Sequence, residues 1–105
     1  MRNMQQLMKQ AQAMQAKMAE AQEALETLEI SAASGGGLVK VTANGKGLLK
    51  SVQIDPSLLA SDEKEILEDL LVAAVNEARN KAEAEAATRM KDAAGGLPLP
   101  PGLGL

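Results

Sequence analysis

The chain has 105 residues, 11 Lys and Arg against 14 Asp and Glu, a net charge of -3, and no Cys, His, Phe, Tyr or Trp. Those absences exclude a disulfide framework, a Cys or His zinc site and any histidine-activated nucleophile. A general base would have to be a carboxylate, a lysine or the amino terminus, and there are no rings on which single-stranded bases could stack.

One small domain is expected over residues 1–94. A chain this short buries about two-thirds of its unfolded surface. With no aromatic side chain, the core must come from Leu, Ile, Val, Met and Ala, and a second copy is the obvious way to complete it. No apolar run approaches the about 20 residues of a membrane span. The N-terminus lacks the apolar segment of a signal peptide. A soluble cytoplasmic protein is the expectation.

Residues 3–26 predict one helix, free of Gly and Pro and rich in good helix formers. Asn3 and Gln6 have the spacing of a capping box. Met4, Ala11, Met18 and Leu25 fall seven apart, and Leu7, Met14, Ala21 and Leu28 form a second row. These are the a and d rows of a coiled-coil seam. Such a helix is too long to be covered by one small domain, so part of its seam should meet another helix. Met4, Leu7, Ala11, Met14 and Met18 are the expected dimer contacts. Met4, Met8, Met14 and Met18 would also suit an adaptable surface for varied partners.

Three strands are predicted next, at 28–34, 38–44 and 48–54. Val39, Val41 and Ala43 alternate with Lys40 and Thr42, as a half-buried strand requires. Leu48, Val52 and Ile54 are expected on one face beside the stem of Lys50. Asn44-Gly45 between them is a strong hairpin signal. Gly35-Gly36-Gly37 precedes a strand rather than a helix, so it reads as a turn and not as a phosphate loop. Asn44-Gly45-Lys46-Gly47 lacks the Ser or Thr that would hold magnesium after Gly-Lys.

Asp55-Pro56 ends the third strand. A second helix is predicted over 62–92, with Asp62 and Glu65 as an acidic capping box and Leu67, Leu70, Leu71, Ala74, Ala78 and Ala82 as its buried stripe. Asp62, Glu63, Glu65 and Asp69 have the charge to hold a divalent ion, but their place at a helix start explains them without a metal. No metal or cofactor is expected. Residues 95–105 hold only Gly, Pro and Leu and are predicted to form a mobile tail. The fold class is therefore α+β, in the order α-β-β-β-α, with a three-stranded antiparallel sheet between two long helices.

Charge is segregated. Residues 1–18 hold Arg2, Lys9 and Lys17 with no acid, and residues 55–78 hold seven acids against Lys64. Arg79, Lys81, Arg89 and Lys91 lie on the second helix and Lys46 on the turn. Basic charge collects on the hairpin and at the far ends of the two helices.

Gly37-Leu38-Val39-Lys40-Val41-Thr42-Ala43-Asn44-Gly45-Lys46-Gly47, then Val52-Gln53-Ile54-Asp55-Pro56-Ser57-Leu58-Leu59, then Leu67-Glu68-Asp69-Leu70-Leu71-Val72-Ala73-Ala74-Val75-Asn76-Glu77-Ala78 together resemble the YbaB/EbfC family of bacterial nucleoid-associated proteins. The Met- and Gln-rich opening helix and the Gly-Gly-Leu-Pro tail fit as well. The resemblance covers essentially the whole chain. It implies a homodimer with protruding helices that act like tweezers, no enzymatic activity, and binding of double-stranded DNA that bends or compacts it in the nucleoid.

The residues themselves point the same way. With no stacking rings and no short recognition helix, duplex backbone contact of low sequence specificity is expected, with broad effects on transcription. Arg2, Lys9, Lys17, Arg79, Lys81, Arg89 and Lys91 are the expected phosphate contacts, and Lys46 is a weaker candidate. The alternative is a coiled-coil adaptor or holdase that grips other proteins through Met-rich surface. No membrane and no small-molecule substrate are expected.

Overall fold

The structure is a computed structural model that describes residues 2–95, with the side chain of Arg2 excepted. The Gly/Pro/Leu tail beyond Gly95 lies outside the described residues. Helix α1 spans Arg2–Thr27, strands β1, β2 and β3 span Ile30–Ser34, Val39–Ala43 and Leu49–Ile54, and helix α2 spans Lys64–Ala93. The sheet is antiparallel in the order β1-β2-β3. The α-β-β-β-α order matches the prediction. Because α1 already includes Arg2, Asn3 sits inside its first turn instead of capping it.

The core forms where α2 crosses one face of the sheet. Ala32 on β1 and Val39, Val41 and Ala43 on β2 point inward and are buried against Ala74 and Ala78 of α2. Leu58 closes one end, and Leu67, Leu70 and Leu71 pack around it half-buried. Alanines on both elements let helix and sheet approach closely, which compensates for the missing rings. Two hydrogen bonds fix the crossing: Ser34 Oγ donates to the Leu70 carbonyl at 2.6 Å, and Lys81 Nζ donates to the Ser31 carbonyl at 3.1 Å.

Strand β3 departs from its predicted pattern. Leu48 is 63% exposed and Val52 42%, and only Ile54 is half-buried. The cause is coverage: α2 lies over β1 and β2 and leaves β3 at the edge. A bulge adds to this, since Thr42 pairs with Ser51 but Ala43 pairs with Leu49, leaving Lys50 as the extra residue.

The β2–β3 connection also differs from a two-residue Asn-Gly hairpin. Asn44 N donates to the Leu48 carbonyl at 2.9 Å, and the Asn44 side-chain oxygen accepts from Lys46 N and Leu48 N. The left-handed residue is Gly47, with φ +85°. Gly45 is needed for space: its N–H donates to the Leu25 carbonyl at 2.7 Å, and a Cβ there would lie 2.9 Å from that oxygen. The turn is thus a socket for the inner end of α1.

After β3, Asp55 accepts from Ser57 N at 2.9 Å and caps a short 3-10 turn, Pro56–Leu59. That bond holds the Asp55 carboxyl below its ordinary range, because it stabilises the ionised form. A second 3-10 turn, Ser61–Glu63, precedes α2. Residue Glu63 then occupies the cap position with no side-chain bond, so the Asp62–Glu65 capping box does not form. The acids of this region act through the helix dipole alone.

Candidate nucleic-acid interface

Helices α1 and α2 run antiparallel and make a long hairpin, in a molecule 73 × 24 × 16 Å. The a and d rows explain the hairpin, and their coverage is graded along α1. Leu25 is buried, Ala21, Met18 and Met14 are half-buried, and Met4, Leu7 and Ala11 are exposed. Buried Met90 of α2 and Ala94 at its C-cap supply the matching surface. The helix that meets the inner seam is therefore α2 of the same chain. Gln10, Ala13, Met14 and Lys17 line one shallow groove with Ala93, Ala94 and Gly95 at the end of described α2. The first turns of α1 project past that point.

This geometry gathers charge that is distant in sequence. Residues 2–18 and 87–95 contain Arg2, Lys9, Lys17, Arg89 and Lys91 against Asp92 alone, a net of +4. We call this part the outer arm. The opposite end, residues 55–78, carries seven carboxylates against Lys64, a net of -6. About 27 Å of helix separates Lys9 from Thr27 at 1.5 Å per residue. That exceeds the Debye length of about 8 Å, so salt screens Lys9 from the acids of residues 55–78, while the nearer Glu20 and Glu85 flank Lys17 and Arg89.

The predicted phosphate contacts fall into separate groups. Lys9, Lys17 and Lys91 are exposed and have no carboxylate within 4 Å among the described residues. Arg89 is held by Glu85 at 3.0 Å, and Lys81 by Glu77 at 3.6 Å. Both pairs are exposed and contribute at most about 1 kcal/mol each. Lys81 is also tied to β1, so it belongs to the body and not to the arm. Arg79 lines a cleft between the helices and the β2–β3 turn. Lys46, at the turn, is bonded to Glu26 at 2.9 Å. The side chain of Arg2 lies outside the described residues.

Sequence inspection alone missed one grouping. Gln22 of α1 faces Asn76, Arg79, Asn80 and Glu83 of α2 across that cleft. The 76-79-80-83 spacing marks one helix face, but nothing in the spacing reveals that α1 stands opposite it. Among the described residues no His, Cys, Asp or Glu cluster suits a metal ion, and no helix is long and apolar enough to cross a membrane.

Comparison with known proteins gives a consistent picture. The family model for the YbaB/EbfC DNA-binding family matches residues 1–97. A nucleoid-associated protein of Brucella ovis is 53% identical over 105 residues, covering all of this chain and 98% of the relative. One from Brucella melitensis biotype 2 is 52% identical over the same coverage. The crystal structure of an uncharacterized protein from Helicobacter pylori superposes with a TM-score of 0.70 at 31% identity, over 80% of this chain and 88% of that one. The family is defined by DNA binding, and none of these relatives carries an enzyme's name.

Proposed function

The chain belongs to the YbaB/EbfC DNA-binding family, and from that premise we propose that it binds duplex DNA through the outer arm, with low sequence specificity. The observation that carries this reading is the net +4 of residues 2–18 and 87–95, set apart from the acidic end. Lys9, Lys17 and Lys91 contact phosphates directly, and Arg2 extends the row. Arg89 joins by exchanging Glu85 for a phosphate, an exchange made cheap by the exposure of the pair. Long cationic side chains on two neighbouring helices neutralise backbone charge without reading bases. Binding of this kind favours DNA that bends toward the protein, and so alters nucleoid organisation and gene expression.

A second copy completes the assembly. Met4 at 71%, Leu7 at 64% and Met8 at 61% exposure form an apolar strip at the start of α1. We assign the contact between copies to this strip with Ala11, continuing along the exposed sides of Met14 and Met18. Two arms then present their cations to one duplex, in the cytoplasmic nucleoid.

A salt series of duplex affinity tests the DNA reading. Several neutralised phosphates give a log–log slope of about -0.9 for each one. Lys9→Glu combined with Lys17→Glu should weaken binding by about tenfold or more at low salt and flatten the slope by about two phosphates. Binding to no duplex at low salt, or a slope near zero, rejects the assignment. Leu7→Asp should turn a dimeric mass into a monomeric one in sedimentation, with the helix content of the protomer kept.

A further inference from the structure

The cleft that holds Arg79 has no part in the contacts proposed above. It lies between α1, α2 and the β2–β3 turn and has a volume of about 760 Å³, within the range of small-molecule sites. Its floor is apolar: Leu25, Ala82 and Met90 are buried, and Ala86 is half-buried. Its rim carries three side-chain amides, one guanidinium and one carboxylate. The third wall is the turn Gly45–Gly47, kept rigid by Asn44. Arg79 has no carboxylate within 4 Å among the described residues, although Glu83 follows one helical turn later.

We propose that this cleft binds a purine nucleoside phosphate as a ligand, without transforming it. Each part of such a molecule has a counterpart. Ala82 and Ala86 leave the floor low enough for a flat ring, and the Met90 sulfur is polarisable and packs well on aromatic edges. Gln22, Asn76 and Asn80 offer donors and acceptors together, and amides of this kind pair with the edge of adenine through two bonds. Glu83 accepts from ribose hydroxyls, as acidic residues do in dinucleotide folds. Arg79 presents a planar fork to the phosphate. Lys46, across the cleft, reaches the same phosphate by leaving Glu26, an exposed partner. Gly45 and Gly47 place no side chain in the way.

A free nucleotide and an unpaired nucleotide at the end of a DNA strand share this chemistry. Calorimetric titration of the full chain separates them, with AMP, adenosine, inorganic phosphate, a blunt duplex and a duplex with a 3′ adenine overhang as probes. AMP should bind at least about tenfold more tightly than adenosine or phosphate alone, since floor, amides and Arg79 act together. Arg79→Gln and Asn80→Ala should each weaken AMP by about tenfold and leave the ligand-free melting temperature in place. Both side chains are exposed. A gain for the overhang over the blunt end that is lost in Arg79→Gln identifies the strand end as the ligand; no such gain identifies the free nucleotide. Lys9→Glu with Lys17→Glu should keep AMP binding while weakening the duplex, so this inference and the arm assignment fail separately. Absence of AMP binding at millimolar concentration overturns the proposal, as does equal AMP affinity in Arg79→Gln. A change of oligomeric mass in Arg79→Gln without AMP binding also overturns it, and gives the cleft to a contact between copies.

Discussion

The two halves of α1 follow one heptad pattern and meet opposite fates. The inner half ends at Leu25, 6% exposed in the socket formed by the β2–β3 turn. The outer half begins with Met4, 71% exposed. Charge divides in the same place: Arg2, Lys9 and Lys17 lie on the outer half, and Glu20, Glu23 and Glu26 on the inner. The pattern thus specifies which face of a helix is apolar. It does not specify what covers that face, and the proposed DNA and dimer contacts lie where the chain's own cover ends.

The largest expected effect tests the inner half. Leu25→Ala removes a buried side chain and should cost about 3 kcal/mol at every protein concentration in denaturant unfolding. Leu7→Ala on the outer half should cost more as protein concentration rises, growing with its logarithm, because its proposed neighbour is another chain. Equal, concentration-independent losses would erase the distinction between the halves.

Gly45→Ala sharpens the comparison from the socket side. Its Cβ would meet the Leu25 carbonyl oxygen and side chain at about 2.9 Å, and overpacking of that kind costs about 1–3 kcal/mol. The rigid backbone oxygen cannot move aside without dragging the end of α1. Melting of Gly45→Ala should therefore destabilise the α1 attachment, whereas Lys46→Ala, on an exposed side chain, should cost at most about 1 kcal/mol.

Charge reversal compares the halves through DNA. Lys9→Glu on the outer half should weaken duplex affinity by about threefold to tenfold at low salt, by adding repulsion where a phosphate contact is proposed. Glu23→Lys on the inner half should change it far less. A gel-shift titration of both variants checks this, and a larger response from Glu23→Lys would move the interface toward the sheet.

The smallest effect lies outside both halves, at Asp55. Its carboxyl is held low by the Ser57 N–H. A lowered folded-state value means stabilisation that is present above the unfolded carboxylate range and is lost as pH falls through the folded value. Asp55→Asn should therefore be slightly less stable than the wild type at neutral pH, and the difference should vanish in acid. Circular dichroism melts across that range read the convergence.

Much of the architecture was legible because local rules agreed with the global fold. The helical composition of residues 3–26, the alternation from Val39 to Ala43 and the Leu67-to-Ala82 stripe each mark an element and its buried face. The errors arose where coverage decides. Leu48 and Val52 read as a core face, but α2 packs on β1 and β2 and leaves both exposed. Asp62 and Glu65 have capping-box spacing, but a 3-10 turn delays α2 to Lys64. Of the candidate site, the free cations Lys9, Lys17 and Lys91 were visible as residues, whereas the capture of Arg89 by Glu85 and of Lys81 by Glu77 and β1 was not.

By itself the sequence determined the element order, the apolar face of each helix and the separation of basic from acidic segments, because periodicity, turn residues and charge are local properties of a chain. The tertiary structure decided that α2 and not a partner covers the inner seam, which cations stay free, and that Gln22 faces Arg79 across a cleft. Those outcomes depend on contacts between residues far apart in sequence, and no local spacing encodes the distance between two elements that meet only after folding.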